Sequence, residues 1–149
     1  MSDEDQKRPI FPTPGRYRLE VGSLDRISDF RRRPYLRLVA RVQRSQATEP
    51  PWTPIAEGSL LTILCPETLG GRIDIGRLHR CLVERQPEPE KDAEGFEFLR
   101  SEDECVRMRD ALIDPALVGR VFGMTARSHR VKSTGQTAVL YVFHLEPEV

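Results

Sequence analysis

Residues 31–44 read RRRPYLRLVARVQR, and the alternation within this stretch decides the fold class. From Tyr35 onward, every second position is apolar, while the positions between them carry a tyrosine ring and arginines. Successive side chains of a strand point to opposite faces, so a period of two predicts a half-buried β-strand. The predicted core face consists of Leu36, Leu38, Ala40 and Val42, and the opposite face of Tyr35, Arg37, Val39 and Arg41.

Strand-like patterns recur on both sides of this stretch. Residues 16–21 alternate in the same way, and an apolar run at residues 59–65 ends at Pro66. Residues 120–128 and 138–145 form two more apolar segments, which flank a loop with Gly135 near its tip. The charged, turn-prone segment 22–34 is short enough to join two antiparallel neighbours. The sequence therefore predicts five strands.

The period changes to a helical one between the third and fourth strands. Ile75, Leu78 and Leu82 share one helical face, which predicts a helix at residues 74–84 with Asp74 as its N-cap. The sequence from Ser101 to Glu104 fits a capping box and predicts a second helix at about 102–113. Residues 86–95 between them are acidic and interrupted by prolines, as in an exposed linker.

The order of these elements predicts a mainly β fold. Three strands, a helical insert and two strands form the connectivity of an OB-fold, a five-stranded barrel. We expect one OB-fold-like domain at residues 15–146, an acidic helical insert at about 72–118 and a flexible N-terminal arm at 1–14. An α+β sandwich of another topology is the alternative.

Charge is distributed unevenly along this chain of 149 residues, although its net charge is zero. Residues 16–44 hold nine arginines against three acids, and residues 119–145 hold four basic residues and no acid. Residues 84–114 hold eleven acids against five basic residues. Such asymmetry predicts a partner of opposite charge.

The remaining composition predicts a cytoplasmic protein. No apolar run approaches the roughly 20 residues that a membrane span needs, and the acidic N-terminus has no secretory apolar region. The odd cysteine count, with no CxxC motif, predicts buried reduced thiols at Cys65, Cys81 and Cys105.

The basic residues and aromatic rings of the predicted loops and central strand form a candidate nucleic-acid site. Arginine and lysine contact phosphates, and aromatic rings stack on bases. The candidates for phosphate contact are Arg31, Arg32, Arg33, Arg37, Arg41, Arg127, Arg130 and Lys132, and the candidate stacking residues are Phe30, Tyr35 and Trp52. Three alternatives remain open: these charges form solvated faces paired with the acidic insert, Trp52 packs on the core as a lid, and Phe30 and Tyr35 are core or rim residues.

No catalytic motif competes with this interpretation. The sequence lacks GxSxG, Walker A, GxGxxG and HExxH patterns. A zinc site at His79, Cys81 and Cys105 would need a fourth ligand. We therefore predict a protein that is not an enzyme and that holds no cofactor or metal.

Short motifs add a family resemblance. These are Pro14-Gly15-Arg16-Tyr17, the Tyr-Leu-x-Leu of the second strand, Leu-Val-Gly-Arg at residues 117–120, and the Gly-tipped loop before a Tyr-containing last strand. Over roughly residues 14–146 the chain resembles the small OB-fold single-stranded DNA-binding proteins of phages and mobile elements. The resemblance implies non-catalytic binding of single-stranded DNA (RNA possible) with little sequence specificity, in support of replication or recombination.

A second hypothesis belongs to another class of protein. The chain could be a protein-interaction or assembly module, either a homo-oligomer or a viral protein that docks on or inhibits a partner through its basic face. The opposed basic and acidic segments favour this hypothesis, because complementary patches pair head to tail.

Overall fold

The computed structural model of the protein describes residues 8–87 and 101–149. Within these residues, three strands precede a helical region and two strands follow it. The strands are β1 (Gly15–Ser28), β2 (Pro34–Gln46), β3 (Leu60–Pro66), β4 (Val121–Arg130) and β5 (Thr137–His144). The helices are α1 (Leu69–His79), a π-helical turn (Arg80–Glu84), α2 (Glu102–Leu112) and a 3-10 turn (Pro115–Leu117).

The strands form one antiparallel sheet in the order β3-β2-β1-β4-β5. The prediction of a mainly β protein with five strands is confirmed. The prediction of a closed barrel is wrong, because β3 and β5 are the two edges of this sheet and do not pair with each other. Helix α1 contacts both edge strands. A helix, and not a backbone ladder, therefore spans the gap between them.

The core lies on one face of the sheet, under the helices. The predicted core face of β2 is confirmed, since Leu36, Leu38, Ala40 and Val42 are all fully buried. Phe122 of β4 and Phe143 of β5 pack against each other with ring centroids 6.3 Å apart. Each fully buried aliphatic or aromatic side chain contributes about 1.5–3 kcal/mol, so this layer holds the helices on the sheet.

The first hairpin is longer than the sequence pattern predicts. β1 continues to Ser28, and only residues 29–33 form the turn. An irregularity between Val21 and Ser23 interrupts the period of two, which is why residues 22–28 looked like a loop. Asp29 holds the turn, because its Oδ1 accepts hydrogen bonds from the backbone N–H groups of Arg31 (2.8 Å) and Arg33 (2.9 Å).

Helix α1 begins at Leu69, earlier than the predicted start at residue 74, and its N-cap is Thr68 and not Asp74. The first turn lies so close to the end of β3 that a Cβ on Gly71 would be 1.6 Å from the Pro66 carbonyl oxygen. Only glycine fits there, and a helical period cannot show this. The cap of α2 is confirmed: the Glu104 N–H donates to Ser101 Oγ over 3.2 Å.

Two other predictions fall wholly or partly on residues outside the described ranges. Residues 88–100 contain most of the predicted acidic linker, so the acidic insert stays a prediction. The predicted flexible arm includes residues 1–7, which are also not described. Further along it, Ile10 forms a bridge to β3: its N–H donates to Leu60 O over 3.0 Å, and its carbonyl accepts from Thr62 N over 2.8 Å.

The three cysteines are free and buried, as predicted. Burial raises the pKa of the Cys65 and Cys81 thiols, so these side chains stay protonated and behave as small core residues. In the described part of the chain, no helix combines the length and apolar character required to cross a bilayer.

Candidate nucleic-acid interface

The outer face of the sheet, opposite the helices, carries most of the basic residues of the strands. Arg16 and Arg18 of β1 and Arg41 of β2 alternate with buried neighbours and are exposed. Arg37 lies on the same face of β2 and is half-buried. The predicted site residues Arg37 and Arg41 therefore lie on the face that the sequence assigned to them.

A β-bulge adds Arg44 to this face. Leu19 is opposite Val42, yet the preceding residue Arg18 is opposite Arg44, so Gln43 is an extra residue on β2. Counting every second residue from Leu36 would place Arg44 on the core face. The bulge reverses this orientation and sets two guanidinium groups directly across from each other on adjacent strands.

Arg18, Arg41 and Arg44 form what we call the unpaired cluster. None of the three has an ion pair with any residue that the structure describes. Arg18 Nε instead donates to Gln43 Oε1 over 3.0 Å. Glu20, the cross-strand neighbour of Arg41, accepts from Gln43 Nε2 over 3.1 Å. Because like charges directly opposite on a sheet are destabilising, the opposition of Arg18 and Arg44 does not serve the stability of the sheet.

Three other arginines of this hairpin are neutralised, and we call them the paired set: Arg26, Arg33 and Arg37. Arg33 Nε donates to Asp29 over 2.7 Å, and Arg26 Nε to Glu67 over 2.8 Å. Arg37 binds Asp25 with two hydrogen bonds of 2.9 and 2.6 Å, which raise the pKa of the guanidinium. Of the predicted site residues, Arg37 thus links β2 to β1, and Arg33 is engaged within the turn that joins them.

The tip of the first hairpin presents an aromatic ring. Phe30 is 87% exposed, and Arg31 Cζ lies 5.3 Å from its ring centroid, within cation–π range. Arg32 beside it is exposed, with a left-handed backbone (φ 60°). Tyr35, at the base of the turn, is half-buried, and its hydroxyl donates to Asp29 Oδ2 over 3.4 Å.

The second hairpin carries the other predicted basic residues. Arg127, Arg130 and Lys132 are exposed, and none is ion-paired within the described ranges. Glu49 joins the Trp52 loop to this hairpin by accepting hydrogen bonds from the Ser128 hydroxyl and from the Ser128 N–H, the latter over 3.0 Å. These bonds lower the pKa of Glu49. Trp52 is 47% exposed, so it is not a buried lid.

The two hairpin tips lie at opposite ends of the sheet. Gly15 pairs with Ala126 near the second hairpin, whereas Ser28 pairs with Pro34 at the first. At about 3.3 Å per residue, β1 would separate the two tips by about 40 Å if it were straight. The unpaired cluster lies between the two tips, so an extended ligand could contact all three regions, whereas a compact one could not.

Residues 145–149 follow β5 onto the same face. A Cβ on Gly123 would lie 2.7 Å from Pro147 Cα, so the chain crosses β4 directly over this glycine. Glu148 lies 3.4 Å from Arg16 Nε. Arg16 is therefore outside the unpaired cluster.

Comparison with protein-family models found no match for this chain, and comparison with curated proteins found none either. Among the described residues, no group of three or more His, Cys, Asp and Glu side chains is placed to hold a metal ion.

Proposed function

We propose that the protein binds single-stranded nucleic acid, in the first place DNA, along the outer face of its sheet, as a non-catalytic module. The observation that carries this proposal is the unpaired cluster. A bulge places Arg44 opposite Arg18 and near Arg41, on a face that the helices leave open. None of the three has an ion pair with a described residue, although Glu20 is the cross-strand neighbour of Arg41. A phosphate backbone would supply the missing negative charge.

Arginines suit this role for a physical reason. Each phosphate that a guanidinium neutralises releases condensed counterions, which gives strong, salt-dependent binding without sequence readout. The guanidinium fork also contacts phosphate oxygens in pairs. Three such side chains, flanked by Arg127 on β4 and Arg31 and Arg32 at the hairpin tip, would follow an extended strand.

Exposed aromatic rings would supply the second contribution to binding, beside the phosphate contacts. Base–aromatic stacking contributes about 1–3 kcal/mol per base and favours unpaired bases, whose faces are open. Phe30 and Trp52 are exposed at opposite ends of the face. We infer that these two rings contact bases near the ends of the bound segment, and that Tyr35 contributes less because it is half-buried.

The strand order supports an OB-like interpretation of the fold. OB-folds are partly open five-stranded barrels in which the strand 2–3 face and the loops 1–2 and 4–5 bind oligonucleotides. The sheet has its helical region between β3 and β4, and its basic hairpins are the corresponding loops. This correspondence supports both the proposed fold family and the proposed ligand.

Fluorescence anisotropy with labelled oligo-dT, oligo-U and duplex DNA tests the proposal. We expect single strands to bind more tightly than the duplex, with an affinity that falls steeply as salt increases. Arg41→Glu should weaken binding at least 10-fold, whereas Arg107→Glu, a change at an exposed arginine of α2, should alter it less than 2-fold. Absence of binding at low salt, or an equal effect of both variants, would overturn the proposal.

A second candidate function is assembly with another protein chain. The observation that favours it is β5, an edge strand that pairs with no other described strand on its outer side, that α1 contacts over part of its length and whose Leu140 is 47% exposed. Such edges accept a further strand. Light scattering after size-exclusion chromatography at low and high salt would detect self-association; a monomer under both conditions would exclude a homo-oligomer.

A further inference from the structure

A second group of arginines surrounds the π-helical turn at Arg80–Glu84, away from the unpaired cluster. Arg80 Nη2 donates to Phe143 O over 3.1 Å and lies 3.6 Å from Cys81 Sγ. Arg85 Nη1 donates to Cys81 O over 2.9 Å, and Arg120 Nη1 donates to Leu82 O. Arg85 and Arg120 thus bind the carbonyls of two consecutive residues of the turn, and Arg80 lies against the side chain of the first of them.

Within the described ranges, no carboxylate compensates the charge of this group. None of the three arginines has an ion pair among the residues that the structure describes. The nearby carboxylate of Glu84 is engaged elsewhere, 3.1 Å from His79 Nδ1. Arg80 is only 8% exposed, and its Nε is buried without a hydrogen-bond partner. Buried charges without a counterion are costly, and buried polar atoms are almost always hydrogen-bonded.

The backbone at this place also departs from the usual pattern. Arg85 occupies the left-handed C-cap position (φ 56°), where glycine is the common residue. Single π-helical turns are rare and often mark functional sites. A helix C-terminus carries about half a negative charge, which one arginine would offset, yet three are present here.

We propose that Arg80, Arg85 and Arg120 form an anion site that binds a phosphate group. Arg85 is exposed and Arg120 half-buried, so both can contact the oxygens of a ligand at the surface, while Arg80 is buried and adds its positive charge at the same turn. Each guanidinium has five donors, and the contacts described above use only Nη atoms. The ligand is a small phosphate compound or the terminal phosphate of a larger one.

Thermal unfolding of the full chain in inorganic phosphate, against chloride at equal ionic strength, tests this proposal. We expect Tm to rise by about 5 °C at saturating phosphate. Phosphate also stabilises proteins through exclusion from their surface, so the comparison must be between variants. Arg85→Gln with Arg120→Gln should lose the specific rise, whereas Arg18→Gln with Arg44→Gln, which removes the same charge from the outer face, should keep it.

The outcomes of this experiment differ from those of the binding test for single strands. An equal rise in both double variants, or no rise above chloride in the wild type, would overturn the phosphate site and leave the outer-face proposal intact. A further variant, Arg80→Met, serves as a second test in case the double variant at Arg85 and Arg120 does not fold. For Arg80→Met we expect an unchanged or raised Tm in phosphate-free buffer, together with loss of the phosphate response. A lowered Tm with an intact response would show that Arg80 is structural and would also overturn the proposal.

Two further titrations identify the source of the phosphate. A nucleoside monophosphate and 5′-phosphorylated oligo-dT, the latter compared with the unphosphorylated strand, should each shift the backbone NMR signals of Cys81 and Leu82 if their phosphate enters the site. Shifts confined to the unpaired cluster, with all probes including inorganic phosphate, would contradict the assignment.

Discussion

The unpaired cluster and the paired set lie on the same hairpin and contain the same residue type, yet their surroundings differ. Each arginine of the paired set has a carboxylate within hydrogen-bond distance, Asp29, Asp25 or Glu67. Arg18, Arg41 and Arg44 have none among the described residues. Paired arginines are engaged within the fold, whereas unpaired ones keep their charge available to a ligand. Local pairing, and not basic composition, therefore distinguishes a binding surface from a structural one.

The largest expected effect comes from reversing charge in the unpaired cluster. Arg18→Glu with Arg44→Glu should weaken binding of oligo-dT about 100-fold, because phosphate contacts become repulsive. Chemical denaturation should show no loss of stability, since the variant replaces one unfavourable like-charge pair with another. Unchanged affinity in this variant would remove the cluster from the binding site.

A change in the paired set should lower stability and leave the affinity for oligo-dT almost unchanged. Glu67 is largely buried and bridges Arg26 and Arg109, so Glu67→Gln leaves Arg26 without a carboxylate and Arg109 with Asp110 alone. We expect a loss of about 2 kcal/mol in the free energy of unfolding, measured in urea. Anisotropy should show affinity within 2-fold of the wild type. A large loss of affinity in a fully folded variant would mean that these groups contact the ligand.

Releasing a paired arginine should convert it into a binding residue. Asp25→Asn removes the charge that engages Arg37 on the outer face. The pair is about 40% exposed, so the stability cost should stay below about 1 kcal/mol. Affinity for oligo-dT should rise about 3-fold, because Arg37 gains freedom to contact phosphate. Fluorescence anisotropy should compare the affinity of this variant for oligo-dT with that of Asp110→Asn, a control at an exposed acid of α2.

The smallest effect concerns pH and the Trp52 loop. The Glu49 pKa is lowered by the hydrogen bonds from Ser128, so its contribution is complete above the ordinary carboxyl pKa and is lost as pH falls through the lowered value. We expect Trp52 fluorescence to change over that acidic range as the loop separates from β4. Ser128→Ala should move the transition to higher pH; an identical transition in both proteins would exclude this contact as its cause.

The sequence predicts the core of this fold better than its binding face. The alternation from Leu36 to Val42 is uninterrupted, so the core face of β2 follows from side-chain period alone. The position of Arg44 does not, because it depends on a bulge set by hydrogen-bond register. The open sheet also depends on a long-range contact, that of α1 with both edge strands.

The candidate site, too, is predicted from the sequence only in part. Composition correctly indicates where arginines accumulate, but the partner of Arg37 becomes visible only once residues 22–28 are known to be strand, and that of Arg33 only once the turn is placed at residues 29–33. From the sequence alone, Arg18 and Arg44 contribute to the charge of their segment and are not predicted as site residues. What marks them as a candidate binding site is that they lie opposite each other on β1 and β2. This is visible only from the pairing register of the two strands.

Salt dependence of binding to oligo-dT in two charge-matched variants tests the central claim most directly. One variant replaces Arg18, Arg41 and Arg44 with glutamine, and the other replaces Arg26, Arg33 and Arg37, so that both lose three charges. Each phosphate contact to a single strand contributes about 0.7 to the slope of log K against log salt. We predict that the first variant loses about 2 from the magnitude of this slope and that the second keeps the wild-type value. Equal losses in both variants would contradict the account, because net charge alone would then explain binding.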